Sequence, residues 1–195
     1  MGISSKTIGK FTSGVALALL ISSPTLAETV DITYENSGTS TTLDFNNGSS
    51  ATAGLYQMTI DGKTTVAMSD SNSSPSTSGW TATVNNYTDV QNGAGQYNRR
   101  RNDKEKYSQA GYLFNLLDFS ETLSETAAKY NALVNYVIWD IMGSVSDLDN
   151  RADRRVVKSL KKQIRGQKNF DWSSVMRVYT YTSSDRRSSR ELFAS

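Results

Sequence analysis

The sequence predicts an α+β fold, an antiparallel β-sandwich-like sheet layer with two to three packed helices. Between Val30 and Val90, apolar and polar residues alternate with the period of two that belongs to strands buried on one face. At Lys104 the period lengthens to that of a helix, and Tyr107, Gly111, Phe114 and Leu117 fall on one stripe. Near the end, Val175–Thr182 (VMRVYTYT) alternates again and brings the chain back to the sheet.

Residues 1–27 read as a secretory leader and not as part of that fold. Lys6 and Lys10 precede the apolar run Gly14–Ile21, and Ser22–Ala27 supplies a proline break and small residues at the positions a signal peptidase reads. The run is far short of the ~20 apolar residues that cross a bilayer. Residues 28–195 are therefore expected to form a single exported domain with no transmembrane anchor, secreted or at the cell surface.

Val30–Glu35 (VDITYE) and Thr41–Asn46 (TTLDFN) are the first strands, separated by Asn, Ser and Gly. Gly54–Asp70 reads as two paired strands, because Asp61-Gly62 accepts the positive φ of a tight hairpin. Ser, Asn and Thr around Pro75 make 70–79 a loop. Trp80–Val90 (WTATVNNYTDV) resumes a strand, and the polar stretch 91–103 with Arg99–Arg101 is a second loop.

The first helix follows Lys104. Thr122-Leu-Ser-Glu125 fits a capping box, in which the threonine hydroxyl and the glutamate side chain satisfy free N–H groups at a helix start. From there Leu123, Ala127, Tyr130, Val134, Val137, Ile138 and Ile141 hold one face until Gly143, and this helix is expected to bury itself against strand residues such as Tyr56 and Ile60. A third helix starts near Asp149 or Asn150, carries Val156, Leu160 and Ile164 on one side and stops at Gly166. Leu192 and Phe193 are an apolar pair that docks near the end.

Composition narrows the chemistry. The chain has no cysteine and no histidine. That excludes a disulfide scaffold, Ser-His-Asp and Cys-His catalysis, the common zinc sites and histidine-ligated haem. An enzyme would have to work through carboxylates, lysine, tyrosine or oxygen-ligated metal. No cofactor is implied, and no catalytic set stands out.

Charge is unevenly placed. Of 21 basic residues, Lys6 and Lys10 belong to the leader, which leaves 19 against 19 acids. From Glu28 to Asn98 the acids Glu28, Asp31, Glu35, Asp44, Asp61, Asp70 and Asp89 face Lys63 alone. The basic excess is concentrated between Arg151 and Lys168, where Arg154, Lys158, Lys161, Lys162 and Arg165 are the candidate binding residues for an anionic polymer such as acidic polysaccharide, extracellular DNA or lipid headgroups. The bland alternative is a solvated face that balances the acidic strands. Asp147, Asp149 and Asp153 have partial calcium-loop spacing, but Ala152 and Lys158 stand where such a loop needs glycine and glutamate, so helix capping is the better reading and no metal site is expected.

Several motifs occur in a fixed order. They are Gly54-x-Tyr56-x-x-x-Ile60-Asp61-Gly62, Val66–Asp70, Gly79-Trp80-x-Ala82-x-Val84, Tyr107-x-x-Ala110-Gly-Tyr112-Leu113, Asn135–Asp140, and Val178-Tyr179-Thr180 before Glu191-Leu192-Phe193. In that order the chain resembles exported bacterial proteins of the PEP-CTERM sorted type. The resemblance implies an envelope or exopolysaccharide association, and the sorting tail of that family has no counterpart here, which implies free secretion. The domain type is also similar to the thioester domains of surface adhesins, where a cysteine at the end of an early strand bonds to a glutamine before an Ala-Ile-Trp run.

Ser69 and Asn135 are the matching positions. A thioester needs a thiol, so none can form, and Asn135 reads as a core amide bonded to backbone. Trp139 and Asp140 complete the motif. Trp139 fills core while its N–H seeks an acceptor, or it forms a sugar-stacking platform with Trp80 or Trp172; Asp140 caps a turn or pairs with a basic group. The expected function is a non-enzymatic surface or extracellular-matrix protein acting in attachment or exopolysaccharide association. The alternatives are a carbohydrate-active enzyme and an anionic-polymer-binding module using residues 151–168.

Overall fold

The computed structural model describes residues 28–72, 79–95, 103–120, 122–143, 145–182 and 191–195. The leader assigned to 1–27 lies outside them, as do most of the Pro75 loop and the Arg99–Arg101 stretch. The elements run β1 (Thr29–Asn36), β2 (Ser40–Asp44), β3 (Ser50–Gly54), β4 (Tyr56–Ile60), β5 (Lys63–Ser69), β6 (Trp80–Asn85), α1 (Tyr87–Gln91), α2 (Asp103–Phe114), α3 (Glu125–Met142), α4 (Arg151–Ile164), β7 (Arg177–Tyr181) and β8 (Glu191–Ala194). Among the described residues, no helix is long and apolar enough to cross a membrane.

The α+β class holds, with antiparallel sheets and packed helices. The sandwich-like layer does not. The large sheet closes on itself as a six-stranded barrel in the order β1-β4-β5-β8-β7-β6, while β2 and β3 form a separate hairpin. Closure comes from β8, which pairs with both β5 and β7 and so removes the two edges a sandwich sheet would leave open. The apolar pair Leu192 and Phe193, expected merely to dock, therefore lies within a strand of the barrel.

Period two then sorts the side chains into two cores. Val30, Ile32, Tyr56, Met58, Ile60, Ala67, Ala82, Val84, Tyr179, Leu192 and Ala194 pack together inside the barrel. Met68, Val178 and Phe193, each one residue out of phase, point to the other face and join the larger core under the helices. This corrects the expected partners of α3: Tyr56 and Ile60 belong to the barrel interior, and α3 packs on β2, β3 and the neighbouring helices. Asn131 to Trp139 are all buried, whereas Tyr130 and Ile141, nearer the helix ends, are half-buried.

Local chemistry sets the boundaries. Asp61 (φ 49°) and Gly62 (φ 75°) make the left-handed turn between β4 and β5 that the dipeptide predicts. The strand at Trp80 stops at Asn85, because Asn86 accepts from Asp89 N while the Asp89 carboxylate accepts from Asn86 N, a reciprocal cap that starts α1. The cap of α3 is Ser124, two residues past Thr122, and its hydroxyl accepts from Ala127 N at 3.2 Å. Asn150 caps α4 by accepting from Ala152 N and Asp153 N, which is helix-capping chemistry at the start of this segment. On α4, Val157 is buried beside Leu160 and Ile164, and Val156 is only half-buried.

Candidate anion-binding groove

Of Ser69, Asn135, Trp139 and Asp140, the first three meet in the core. The Ser69 carbonyl accepts from Asn135 Nδ2 at 2.8 Å and from Trp139 Nε1 at 3.1 Å, and Asn135 Oδ1 accepts from Gly54 N at 3.1 Å. Asn135 and Trp139 are one turn apart on α3, so both side chains reach the end of β5 from the same helix face. The Ser69 hydroxyl donates to Ser71 O at 2.8 Å. Every polar group of this cluster that a hydrogen bond reaches is tied to backbone or to a neighbour, which makes it a clasp between α3, β3 and β5. Gly54 (φ 126°) is needed there, since a Cβ would lie 2.9 Å from Thr39 O.

Trp139 and Trp172 are buried, which leaves neither ring a face for stacking on sugar. Trp80 is half-buried and packs edge-on against Tyr181, with ring centroids 5.3 Å apart.

Asp140 lies apart from the clasp. It is half-exposed and sits 2.8 Å from Lys161 Nζ, on the side of α3 that faces α4. There the two helices and the segment before α4 enclose a groove of about 280 Å³. Its floor is Tyr136, Leu148 and Val157, and its rim is Arg154, Lys158, Lys161 and Arg165, with Asp147 as the acid in the lining. Four of the five sequence-predicted basic residues thus converge. Lys162 is exposed on α4 and does not line the groove.

The four rim cations differ in their freedom. Arg154 donates to the carbonyls of Leu148 and Asp149 at 2.6 and 2.7 Å, which pins the chain entering α4. Lys161 is held by Asp140. Farther along, Lys129 pairs with Asp153 at 2.8 Å and Lys168 with Glu105 at 3.0 Å. Among the described residues no carboxylate partners Lys158, Lys162 or Arg165. Lys158 and Arg165 are seven residues apart, about 10 Å of helical rise and nearly the same azimuth.

Burial pushes the Tyr136 phenol up to about 12, and the negative charges of Asp140 and Asp147 add to the rise. It stays neutral at any ordinary pH, with its hydroxyl donating to Ser146 O at 3.2 Å. The cations of the groove thus stand at its rim, and the phenol on its floor is no proton donor of ordinary acidity.

Sequence reasoning missed a second buried polar chain. Tyr107 donates to the Glu191 carboxylate at 2.8 Å, Thr180 Oγ1 donates to it at 2.9 Å, and Asn85 Nδ2 donates to Thr180 Oγ1 at 2.9 Å, which ties α2 to the end of the barrel. It also missed Tyr136, Leu148 and Asp147 as groove residues; only the helical run of α4 carried a readable signal. No protein-family model matches the sequence, and neither the curated proteins nor the solved structures searched yielded a match.

Proposed function

We propose that this chain is a non-enzymatic exported domain of the PEP-CTERM-like surface type that attaches to an anionic extracellular polymer through the groove beside α4. The convergence of Arg154, Lys158, Lys161 and Arg165 on one groove carries this reading. Clustered cations release counterions from a polyanion without needing a deep, shaped pocket, and affinity then depends steeply on salt. Two rim cations are held in place by protein acceptors and two lack a carboxylate partner among the described residues, an arrangement that combines a fixed shape with available charge. A hydrolytic reading is less well supported: it needs two carboxylates facing a cleft, and here Asp140 is bound to Lys161, which leaves Asp147 in the lining.

The test is equilibrium binding of the purified domain to an acidic polymer across a salt series. Affinity should fall steeply between ~50 and 200 mM salt. Replacing Lys158, Lys161, Lys162 and Arg165 together by Gln should abolish it while the melting transition stays cooperative. Binding that ignores salt, or that survives the quadruple change, assigns the basic face to solubility alone.

A further inference from the structure

We propose that the polymer held in this groove is a polyhydroxylated carboxylate, a uronic-acid polysaccharide, and that Asp147 selects it over phosphate polymers by accepting hydrogen bonds from sugar hydroxyls. The inference rests on the anion-binding reading above and names the class of ligand for the same site.

Asp147 carries the distinction. It is an exposed carboxylate in the lining of a groove otherwise rimmed by Arg154, Lys158, Lys161 and Arg165. A carboxylate in such a place is an acceptor only. Against a phosphodiester or polyphosphate chain it meets further acceptors and negative charge, and like charges brought together at an interface suppress the wrong partner. Against a sugar acid it meets hydroxyl donors, while the carboxylates of the same polymer go to the cations. Lys158 on α4 and Arg165 at its C-cap, two turns apart, are placed to hold carboxylates that recur along the polymer.

The floor does not compete with this: Tyr136, Leu148 and Val157 are buried beneath the rim, so the choice between ligands falls to the charged groups above them. At about 280 Å³ the groove is near the lower end of the roughly 300–1,000 Å³ usual for ligand sites, enough for a short saccharide segment.

The side chain of Asp147 is the one to change, because its removal has opposite signs for the two ligand classes. Its backbone carbonyl accepts from Asn46 N at 2.9 Å, a contact that Asp147→Ala leaves in place. Binding of sodium polygalacturonate and of double-stranded DNA is measured for the wild type, Asp147→Ala and the quadruple Gln variant, with melting curves for each. The expected result is tighter wild-type binding to polygalacturonate than to DNA. Asp147→Ala should then weaken polygalacturonate roughly tenfold or more, the worth of a hydrogen bond to a charged group, and leave DNA binding equal or stronger.

Wild-type preference for DNA, or unchanged or tighter polygalacturonate binding by Asp147→Ala, overturns the assignment of ligand class while the salt-dependent anion site stands. No binding of either polymer by the wild type, or equal binding by the quadruple variant, overturns the anion site itself and the ligand class with it.

Discussion

Asn135 and Ser69 are joined across the core by a 2.8 Å hydrogen bond from side-chain amide to backbone carbonyl, although they lie 66 positions apart in the chain. The same amide accepts from Gly54 N, so one side chain satisfies two strands. Asn135→Ala is expected to leave the Gly54 N–H buried and unpaired and to cost about 2–3 kcal/mol. Asn135→Asp should cost more, since it keeps an acceptor for Gly54 but sets a carboxylate oxygen against the Ser69 carbonyl. Urea denaturation of both variants at neutral pH provides the comparison, and equal stability of the two would refute the assigned roles.

Gly111 lies in α2 directly against Trp172, where a Cβ would come within 2.4 Å of the Trp172 Cβ. Alanine is the better helix former by roughly 1 kcal/mol, but overpacking against a fixed indole costs about 1–3 kcal/mol. The clash should win, and Gly111→Ala should lower the melting temperature. Gly166→Ala, with nothing within 4 Å of the added methyl, is the control for a change that meets no neighbour.

Burial holds the Tyr56 and Tyr136 phenols protonated up to about 12. Unfolded tyrosine releases its proton near 10. Between these values the native state binds the proton and the unfolded chain does not, so stability is unaffected below pH 10 and falls as pH rises from 10 towards 12. Stability measured across that window should decline with a slope that becomes shallower in Tyr136→Phe. A flat profile from pH 9 to 12 would mean both phenols ionise freely in the folded protein.

The Lys161–Asp140 pair is partly exposed on both sides. Asp140→Asn should therefore change stability by less than about 1 kcal/mol. It also releases Lys161 towards the groove, so polyanion affinity should rise. Weaker binding in Asp140→Asn would instead identify the aspartate as the group that aims Lys161.

Val137 is fully buried in the middle of α3. Val137→Asp is expected to cost more than ~3 kcal/mol by placing an unpaired charge in the core, and wild-type melting in that variant would contradict the packing of the helix.

What could be read ahead of the structure was what single residue types dictate. The 3.6-residue stripe of α3, the cationic run of α4, the Asp61-Gly62 turn and the start of α4 near Asp149 or Asn150 each follow from a local preference. β3 (SATAG) escaped because small residues show no alternation, and β8 because four residues are too few to show a period. Barrel closure was out of reach for a different reason. A period of two tells which side chains share a face, but it does not say which strand lies beside which. The same limit applies to the candidate site: the α4 cations were legible from composition, whereas Tyr136 on α3 and Asp147 and Leu148 before α4 join them only through tertiary packing. It also explains why Tyr56 and Ile60, correctly read as inward-facing, were matched to the wrong core.

The pairing of β8 with both β5 and β7 has a kinetic consequence. All other neighbours in the ring lie between residues 29 and 181, so an emerging chain can assemble them as an open arc, but two edges stay unpaired until residues 191–194 arrive. Joining strands so distant in sequence is slow, because loop-closure entropy is lost before the contacts that compensate it are made. The arc meanwhile presents backbone donors and acceptors to any extended segment nearby. Ring closure is thereby placed late in folding, and the most C-terminal strand of the barrel becomes the segment whose loss, shortening or delay would most readily turn a folding chain into an aggregating one.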